Sequence, residues 1–240
     1  MNVHVKICGI TTIGDALVAA DAGADAIGLV FYPASPRHVD FEVAARIVEQ
    51  LPSTVAAVGV FVNPSIEELR KAATEVGIDA FQLHGDESPE FVSQIEFVAQ
   101  RKPRPVGFLP GIPGTEPGRV ATIKAFRVRD SRSLEVLPRY EADLWLLDSY
   151  VPGEPGGTGA QFNWKLAVDA VRMGRPVVLA GGLTPNNVAD AIRTVRPHAV
   201  DVSSGVESAP GRKNPALVRA FINAAKRAGF EPGNLSRMKL

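Results

Sequence analysis

The sequence predicts a single α/β domain folded as a (β/α)8 barrel, and three observations favour this fold. Short apolar runs rich in β-branched residues recur eight times, and each is followed by a helical pattern. The runs are apolar nearly throughout, as in parallel strands that are covered on both faces. The length of 240 residues is close to the roughly 250 that such a barrel needs. The predicted strands are 3–8, 26–31, 56–62, 80–84, 123–128, 144–149, 177–181 and 199–204.

The segment after the first strand has the start, the buried face and the end of a helix. Thr12 is an N-cap residue, and Asp15 stands where a capping box places an acidic side chain. Gly23 is typical of the residue that ends a helix. The predicted apolar stripe of this helix comprises Ile13, Ala16, Leu17 and Ala20.

Three later helices are predicted to begin at a cap residue followed by proline. Proline suits the first helical turn because its missing N–H would have no partner there. The three starts are Asn63-Pro64, Thr184-Pro185 and Asn214-Pro215. Behind the second of them, the predicted apolar stripe is Val188, Ala191, Ile192 and Val195.

A weak internal repeat agrees with a barrel built of βα units. The stretch GADAIGL, from Gly23, resembles GIDAFQL, from Gly77, about two βα units later. No G-x-G-x-x-G follows the first strand, which disfavours an open dinucleotide-binding sheet. The whole chain, 1–240, is therefore predicted to be one TIM-barrel domain. Two parts lie outside the βα pattern: an irregular insertion rich in proline and glycine at 101–120, and a tail after Gly229 that we expect to fray.

Composition limits the possible partners. The chain has 26 basic and 26 acidic residues, so it gives no reason to expect a nucleic acid or an anionic membrane surface. No run reaches the roughly 18 apolar residues of a membrane-spanning helix. The single cysteine excludes an intramolecular disulfide and fits a reducing compartment. His4, His38 and His198 have no ligand spacing, so no metal site is predicted. These features predict a cytoplasmic enzyme that acts on a small molecule.

Polar residues end several predicted strands, on the side of a barrel where active sites lie. Cys8 lies at the end of predicted strand one, His84 at the end of strand four and Asp148 at the end of strand six. Cys8 and Asp148 are the candidates for acid–base catalysis. His84 is a candidate substrate-binding residue. The alternatives are a small buried Cys8, an Asp148 that caps a helix or fixes a loop, and a hydrogen-bonded structural His84. Lys6 has the same parity as Cys8, so it should point into the barrel and pair with Asp201 on strand eight.

The ends of strands seven and eight together predict a phosphate site. The turns AGGLT and SSGVES offer unobstructed backbone N–H groups and hydroxyl donors, in the place where this fold binds phosphate. Either turn alone could be an ordinary tight loop. A third glycine-rich stretch, EPGGTG (154–159), could close over a bound ligand. The candidate substrate-binding residues in the three turns are Gly157, Gly181, Gly182, Ser203, Ser204 and Gly205.

With these residues assembled, the chain resembles the phosphoribosylanthranilate isomerase family of tryptophan biosynthesis. The similarity extends nearly from end to end, and the 101–120 segment departs from it as a longer loop. The matching blocks are KICGIT (6–11), GADAIGLVFYPASPRHV (23–39), VGVFVN (58–63), QLHGDE (82–87), LLDSYVPGEPGGTGAQFNW (146–164), LAGGLTPNNV (179–188) and VDVSSGVESAPGRKN (200–214).

The resemblance implies an aldose–ketose isomerase, an intramolecular oxidoreductase that needs no cofactor. Its reaction is the Amadori rearrangement of the aminoaldose N-(5-phosphoribosyl)anthranilate to the aminoketose carboxyphenylamino-deoxyribulose phosphate. Asp148 would be the general acid that protonates the ring oxygen, and Cys8 the general base that removes the C2′ proton. Arg37 would contact the anthranilate carboxylate. The family's phosphate loops correspond to Gly182 and 203–205.

Two other functions are weighed against this one. The related isomerase of histidine biosynthesis also performs an Amadori rearrangement, but it resembles two half-barrels with two phosphate sites and has an aspartate at the position of Cys8. A barrel that only binds a phosphate ligand would need neither Cys8 nor Asp148. The sequence leaves open whether the protein is a monomer or a homodimer.

Overall fold

The computed structural model describes residues 3–95, 119–149 and 164–229, and within them eight parallel strands close into a barrel. The strands follow one another around the barrel in chain order, and the first pairs with the last. The predicted fold is confirmed. The strands are β1 His4–Cys8, β2 Ala26–Val30, β3 Ala56–Phe61, β4 Ala80–Leu83, β5 Ala121–Val128, β6 Leu144–Ser149, β7 Val177–Leu179 and β8 Ala199–Val202.

Three strands differ from prediction by two residues at one end, and one of them, β8, ends at Val202 rather than at Ser204. β5 begins at Ala121, because Ala121 and Thr122 pair with β4 although their side chains gave a weak strand signal. β7 ends at Leu179, before the predicted end at Gly181. Gly181 and Gly182 have φ values of 83° and 64°, a left-handed conformation that takes the chain out of the sheet.

Helices connect the strands on the outside of the barrel, except between β5 and β6. There the described chain forms two short 3-10 helices, Ser131–Leu134 and Leu137–Arg139, so the prediction of a helical unit after every strand holds only loosely. The side chain of Asp130 caps a single turn, and Pro138 lacks the N–H that a longer helix would need. The α-helices are α1 Ile13–Asp21, α2 Phe41–Gln50, α3 Ile66–Lys71, α4 Pro89–Ile95, α5 Trp164–Val171, α6 Val188–Val195 and α7 Pro215–Gly229.

The start of α1 is as predicted, but its buried face is not. The hydroxyl of Thr12 accepts a hydrogen bond from the Asp15 N–H at 3.1 Å. The helix buries Ala16 and leaves Ile13 and Leu17 more than one-third exposed, at 38% and 37%. The predicted stripe is therefore wrong for its two large residues. The stripe of α6 is confirmed, since all four of its predicted residues are buried.

One of the three predicted proline starts is confirmed. Asn214 caps α7 directly before its first proline, with its side-chain oxygen accepting from two backbone N–H groups. Asn63 instead has a φ of 50°, and α3 begins after the N-cap Ser65. α6 begins after Asn187, whose side chain accepts from the Thr184 N–H at 2.8 Å. In both cases an asparagine shapes the turn, and the helix begins later.

Aspartates at the amino-terminal end of the barrel explain the weak repeat. One precedes each of β2, β4 and β6, and its carboxylate accepts from the second N–H of the preceding strand. The bonds run from Val5 to Asp25 at 2.7 Å, from Ala57 to Asp79 at 2.8 Å and from Thr122 to Asp143 at 2.7 Å. The two aspartates of the repeat, in GAD and GID, therefore join neighbouring strands in the same way.

Replacing Asp79 by alanine is expected to lower the free energy of unfolding by about 1–3 kcal/mol, because the Ala57 N–H would be left buried without this acceptor. Urea denaturation measures the change. The exposed Asp21, the last residue of α1, provides a control, and Asp21→Ala should change stability by less than about 0.5 kcal/mol. Equal stability of both variants would contradict the role of Asp79.

A buried ion pair lies inside the barrel, beneath the carboxyl ends of β1 and β8. Lys6 is fully buried, and its ammonium lies 2.9 Å from Asp201 Oδ1. The two residues are direct partners in the β1–β8 register. The pairing predicted from the parity of the strand is confirmed. No helix in the described ranges is long and apolar enough to cross a membrane.

Candidate active site

A cleft of about 470 Å³ opens at the carboxyl ends of the strands, where the fold places active sites. It brings together nine of the ten predicted site residues from six loops or strands. The tenth, Gly157, lies outside the described residues. The nine that line the cleft are Cys8, Arg37, His84, Asp148, Gly181, Gly182, Ser203, Ser204 and Gly205.

Cys8 lies at the base of this cleft in a nearly closed environment. Its exposed fraction is 8%, and Val30 and Val60 pack against it. Burial raises the pKa of the Cys8 thiol above its usual range, and the ammonium groups of Lys6 and Lys213 offset only part of that effect. A Cβ on Gly28, the neighbouring residue of β2, would come within 2.6 Å of the sulfur, so this neighbour must be small. Cys8 is thus buried like a core residue yet borders the cleft and two cations.

Asp148 is 6% exposed at the end of β6 and faces His84 across the cleft wall. The distance from His84 Nε2 to Asp148 Oδ2 is 3.4 Å. On the other side of the ring, the Gln82 side-chain nitrogen lies 3.2 Å from His84 Nδ1. His84 Nε2 forms no hydrogen bond within the described residues, so it lies in contact with the carboxylate without donating to it. His84 therefore contacts the candidate acid, an arrangement that the sequence did not indicate.

Arg37 reaches the cleft from the loop after β2 and is held by Glu207. Its Nε and Nη2 atoms donate to the two carboxylate oxygens of Glu207, at 2.9 and 2.7 Å. Lys213 donates to the same carboxylate at 2.7 Å. Gly9 makes room for the arginine, because a Cβ there would come within 2.6 Å of Arg37 Cδ. Gly9 also has a φ of 75°, so the residue after Cys8 favours glycine for two reasons.

The charges of Arg37, Glu207 and Lys213 interact favourably with one another. The hydrogen bonds that Arg37 donates to Glu207 raise the pKa of Arg37. Burial opposes ionisation of Glu207, but hydrogen bonds from Arg37 and Lys213 outweigh it and lower the pKa of that carboxyl. Burial lowers the pKa of Lys213 despite its contact with Glu207.

The turns after β7 and β8 present donors to the opposite side of the cleft. The N–H groups of Gly181 and Gly182 donate to no acceptor within the described ranges. The two turns pack closely, since a Cβ on Gly205 would come within 2.0 Å of the Leu183 carbonyl oxygen. Free, oriented N–H groups in a left-handed turn favour an anion.

The sequence analysis missed Glu207 and Lys213, although both lie in one of the blocks that carry the family resemblance, 200–214. They belong to a small hairpin of β9 Glu207–Ala209 and β10 Arg212–Lys213. Glu207 is 170 residues from Arg37 in the chain, so no local spacing connects them. An acidic and a basic residue six positions apart are the only local signal.

Comparisons with known proteins agree on one family. The family model for N-(5'-phosphoribosyl)anthranilate (PRA) isomerase matches residues 5–104 and 115–224. The N-(5'-phosphoribosyl)anthranilate isomerase of Trichlorobacter lovleyi is 50% identical over 226 residues, which are 94% of this chain and 99% of the relative.

Solved structures give the same result. The phosphoribosyl anthranilate isomerase of Thermotoga maritima aligns with a TM-score of 0.81 and 41% identity, over 94% of this chain and 99% of that one. Another isomerase structure, in complex with reduced 1-(o-carboxyphenylamino)-1-deoxyribulose 5-phosphate, has a TM-score of 0.78 and 40% identity over the same shares. Identity of this level across nearly the full length means that the chain belongs to the N-(5'-phosphoribosyl)anthranilate isomerase family.

Proposed function

We propose that Cys8 and Asp148 are the base and the acid with which this chain isomerises phosphoribosylanthranilate. The activity itself, an aldose–ketose isomerisation in tryptophan biosynthesis, is that of the family, so the function predicted from the sequence is confirmed. The proposal concerns the residues. The observation that carries it is the single cleft in which an acid, a base and a carboxylate-binding arginine meet.

The first step belongs to Asp148. Its carboxyl group donates a proton to the ring oxygen of the substrate as the bond between that oxygen and C1′ breaks. The nitrogen lone pair forms the new double bond to C1′, and the sugar opens to a protonated imine. Asp148 suits this role because it borders the cleft at the end of β6 and is almost entirely shielded from water.

The second step belongs to Cys8. Its thiolate removes the proton from C2′, and the electron pair of that bond moves toward the positively charged nitrogen. The resulting enolamine then tautomerises to the ketone. Lys6 and Lys213 support the thiolate electrostatically, since both lower the pKa of Cys8 against the effect of burial.

Two groups hold the ends of the substrate. Arg37 offers a guanidinium that matches the anthranilate carboxylate. The turns containing Gly181, Gly182 and 203–205 offer N–H and hydroxyl donors to the phosphate. A small sugar phosphate is thus the proposed ligand. A cytoplasmic location, a single 1–240 domain and a monomer or homodimer stay predictions.

The direct test follows the fluorescence of phosphoribosylanthranilate when it is incubated with the wild-type protein. We expect its conversion to the aminoketose without any added cofactor. The aminoaldose substrate of the related isomerase of histidine biosynthesis is the control and should not turn over. Absence of isomerisation by pure wild-type protein would overturn the proposal.

A further inference from the structure

The geometry points to Glu207 and Lys213 as positioning residues that direct Arg37 at the carboxylate of the substrate. Neither residue needs to touch the substrate for this role. The inference rests on the proposed contact between Arg37 and anthranilate, and it makes the hairpin of β9 and β10 a determinant of specificity for carboxylated aminoaldoses.

The guanidinium of Arg37 has two edges on which a carboxylate can form a pair of hydrogen bonds. Glu207 occupies the Nε/Nη2 edge, with distances of 2.9 and 2.7 Å. The other edge consists of Nη1 and the second proton of Nη2. Within the described ranges, Nη1 donates to no acceptor, and Arg37 lines the cleft. Because the guanidinium is planar and rigid, fixing the first edge also fixes the direction of the second.

Glu207 can act in this way because it is itself firmly held. Its side chain is 5% exposed and also accepts from Lys213 Nζ at 2.7 Å and from the Gly211 N–H at 3.3 Å. The hairpin is tied to the loop after β1 by a bond from the Thr11 hydroxyl to the Gly211 carbonyl at 2.6 Å. Buried and multiply bonded side chains lose little freedom when a ligand binds, which favours affinity.

The charges explain why a pair of residues is needed. Arg37 and Glu207 alone would form a neutral pair with little attraction for a second carboxylate. The side chain of Lys213 is fully buried and adds one positive charge. Arg37, Glu207 and Lys213 together therefore carry a net charge of plus one. A single carboxylate neutralises this cluster, and partial burial keeps the interaction from being screened by water.

The test compares two ligands that differ only in the carboxylate. The first is reduced carboxyphenylamino-deoxyribulose phosphate, and the second is its phenylamino counterpart. For wild type, we expect tighter binding of the first. Glu207→Gln raises the net charge of the three residues to plus two, but Arg37 loses the paired charge-assisted bonds that fix the direction of its guanidinium. We expect this loss of direction to outweigh the added charge and to reduce that preference by roughly tenfold or more. Affinity for the phenylamino ligand should change by less than about twofold, and KM for phosphoribosylanthranilate should rise far more than kcat falls.

Two further variants keep the result decisive. Glu207→Asp retains the charge but is one methylene shorter, so it should keep part of the preference for the carboxylated ligand. Because the buried charge is kept, this variant provides the measurement if Glu207→Gln does not fold. Glu42→Gln removes the partner of Arg46 in an exposed pair at 2.9 Å and should change neither ligand's affinity.

Three outcomes overturn the inference. If Glu207 has only a structural role, Glu207→Gln will lower the affinity for both ligands equally. If Glu207 has no role, Glu207→Gln will lower the affinity for neither ligand. If wild type itself does not prefer the carboxylated ligand, the proposed contact of Arg37 fails together with the inference. Loss of the preference in Glu207→Gln supports the inference even if the roles assigned to Cys8 and Asp148 prove wrong, because binding of these unreactive ligands involves no catalysis.

Discussion

Replacing Cys8 by alanine is expected to lower kcat by roughly 10²–10⁴-fold, the usual contribution of a general base. The loss should fall on the chemical step, because the alanine variant keeps Arg37 and the turns that hold the substrate ends. Steady-state kinetics measures kcat and KM, and urea denaturation establishes that the variant is folded. An alanine variant that turns over within tenfold of wild type would remove Cys8 from the mechanism.

The pH dependence of wild type provides a second check on the same residue. Burial raises the pKa of Cys8, so at neutral pH most of the protein holds the thiol, and only the thiolate can accept a proton. Below that pKa the thiolate fraction grows about tenfold per pH unit, and kcat/KM should follow it over the pH range in which Asp148 stays protonated. The chain has one cysteine and three tyrosines, so the ultraviolet absorbance of wild type minus that of Cys8→Ala titrates the Cys8 thiol alone. Its midpoint should lie above that of a free cysteine and should coincide with the kinetic midpoint in the unliganded protein.

Much of the fold could be predicted because its signals are local. Runs of buried β-branched residues identify parallel strands by composition alone, and Thr12 and Asn214 are caps whose partners lie two or three residues away. The helix starts predicted at Asn63-Pro64 and Thr184-Pro185 were wrong because Asn63 and Asn187 shape turns there, and only the surrounding loops decide whether an asparagine caps a helix or stabilises a turn. The buried face of α1 could not be read from hydrophobicity, since close packing selected a small alanine over the larger Ile13 and Leu17.

In the candidate site, too, the residues at strand ends could be predicted and the contacts between loops could not. The closed barrel orders the strand ends, so Cys8, Asp148 and the glycine turns could be assigned to one face from their positions alone. The side chains that contact and orient the site residues could not be predicted from the sequence. Glu207 meets Arg37 only because the hairpin after β8 folds back over the loop after β2, and His84 meets Asp148 across the cleft. Such contacts depend on the course of loops, for which this chain has no regular pattern.

Replacing Asp148 by asparagine is expected to lower kcat by a similar factor, roughly 10²–10⁴-fold, because the amide keeps the shape of the side chain but cannot deliver the proton that opens the ring. Steady-state kinetics on phosphoribosylanthranilate measures this loss. The two catalytic residues then differ in the bond on which they act: Asp148 serves the ring oxygen, and Cys8 serves C2′. A substrate without a ring separates them.

An analogue made from 4-deoxyribose 5-phosphate and anthranilate cannot form the furanose, so it needs no proton at a ring oxygen, and its open-chain imine takes from solvent water the proton that makes its nitrogen positive. Asp148→Asn should process this open-chain imine within about tenfold of the wild-type rate, since the step that it lacks is bypassed. Cys8→Ala should remain inactive on the analogue, because the C2′ proton must still be removed. If both variants fail equally, Asp148 acts on a step after ring opening, and the division of labour between the ends of β1 and β6 is wrong. If only Asp148→Asn turns over the analogue, the acid acts at the ring oxygen and the base at C2′. A general loss of structure would lower the activity of Asp148→Asn on both substrates and could not produce this result.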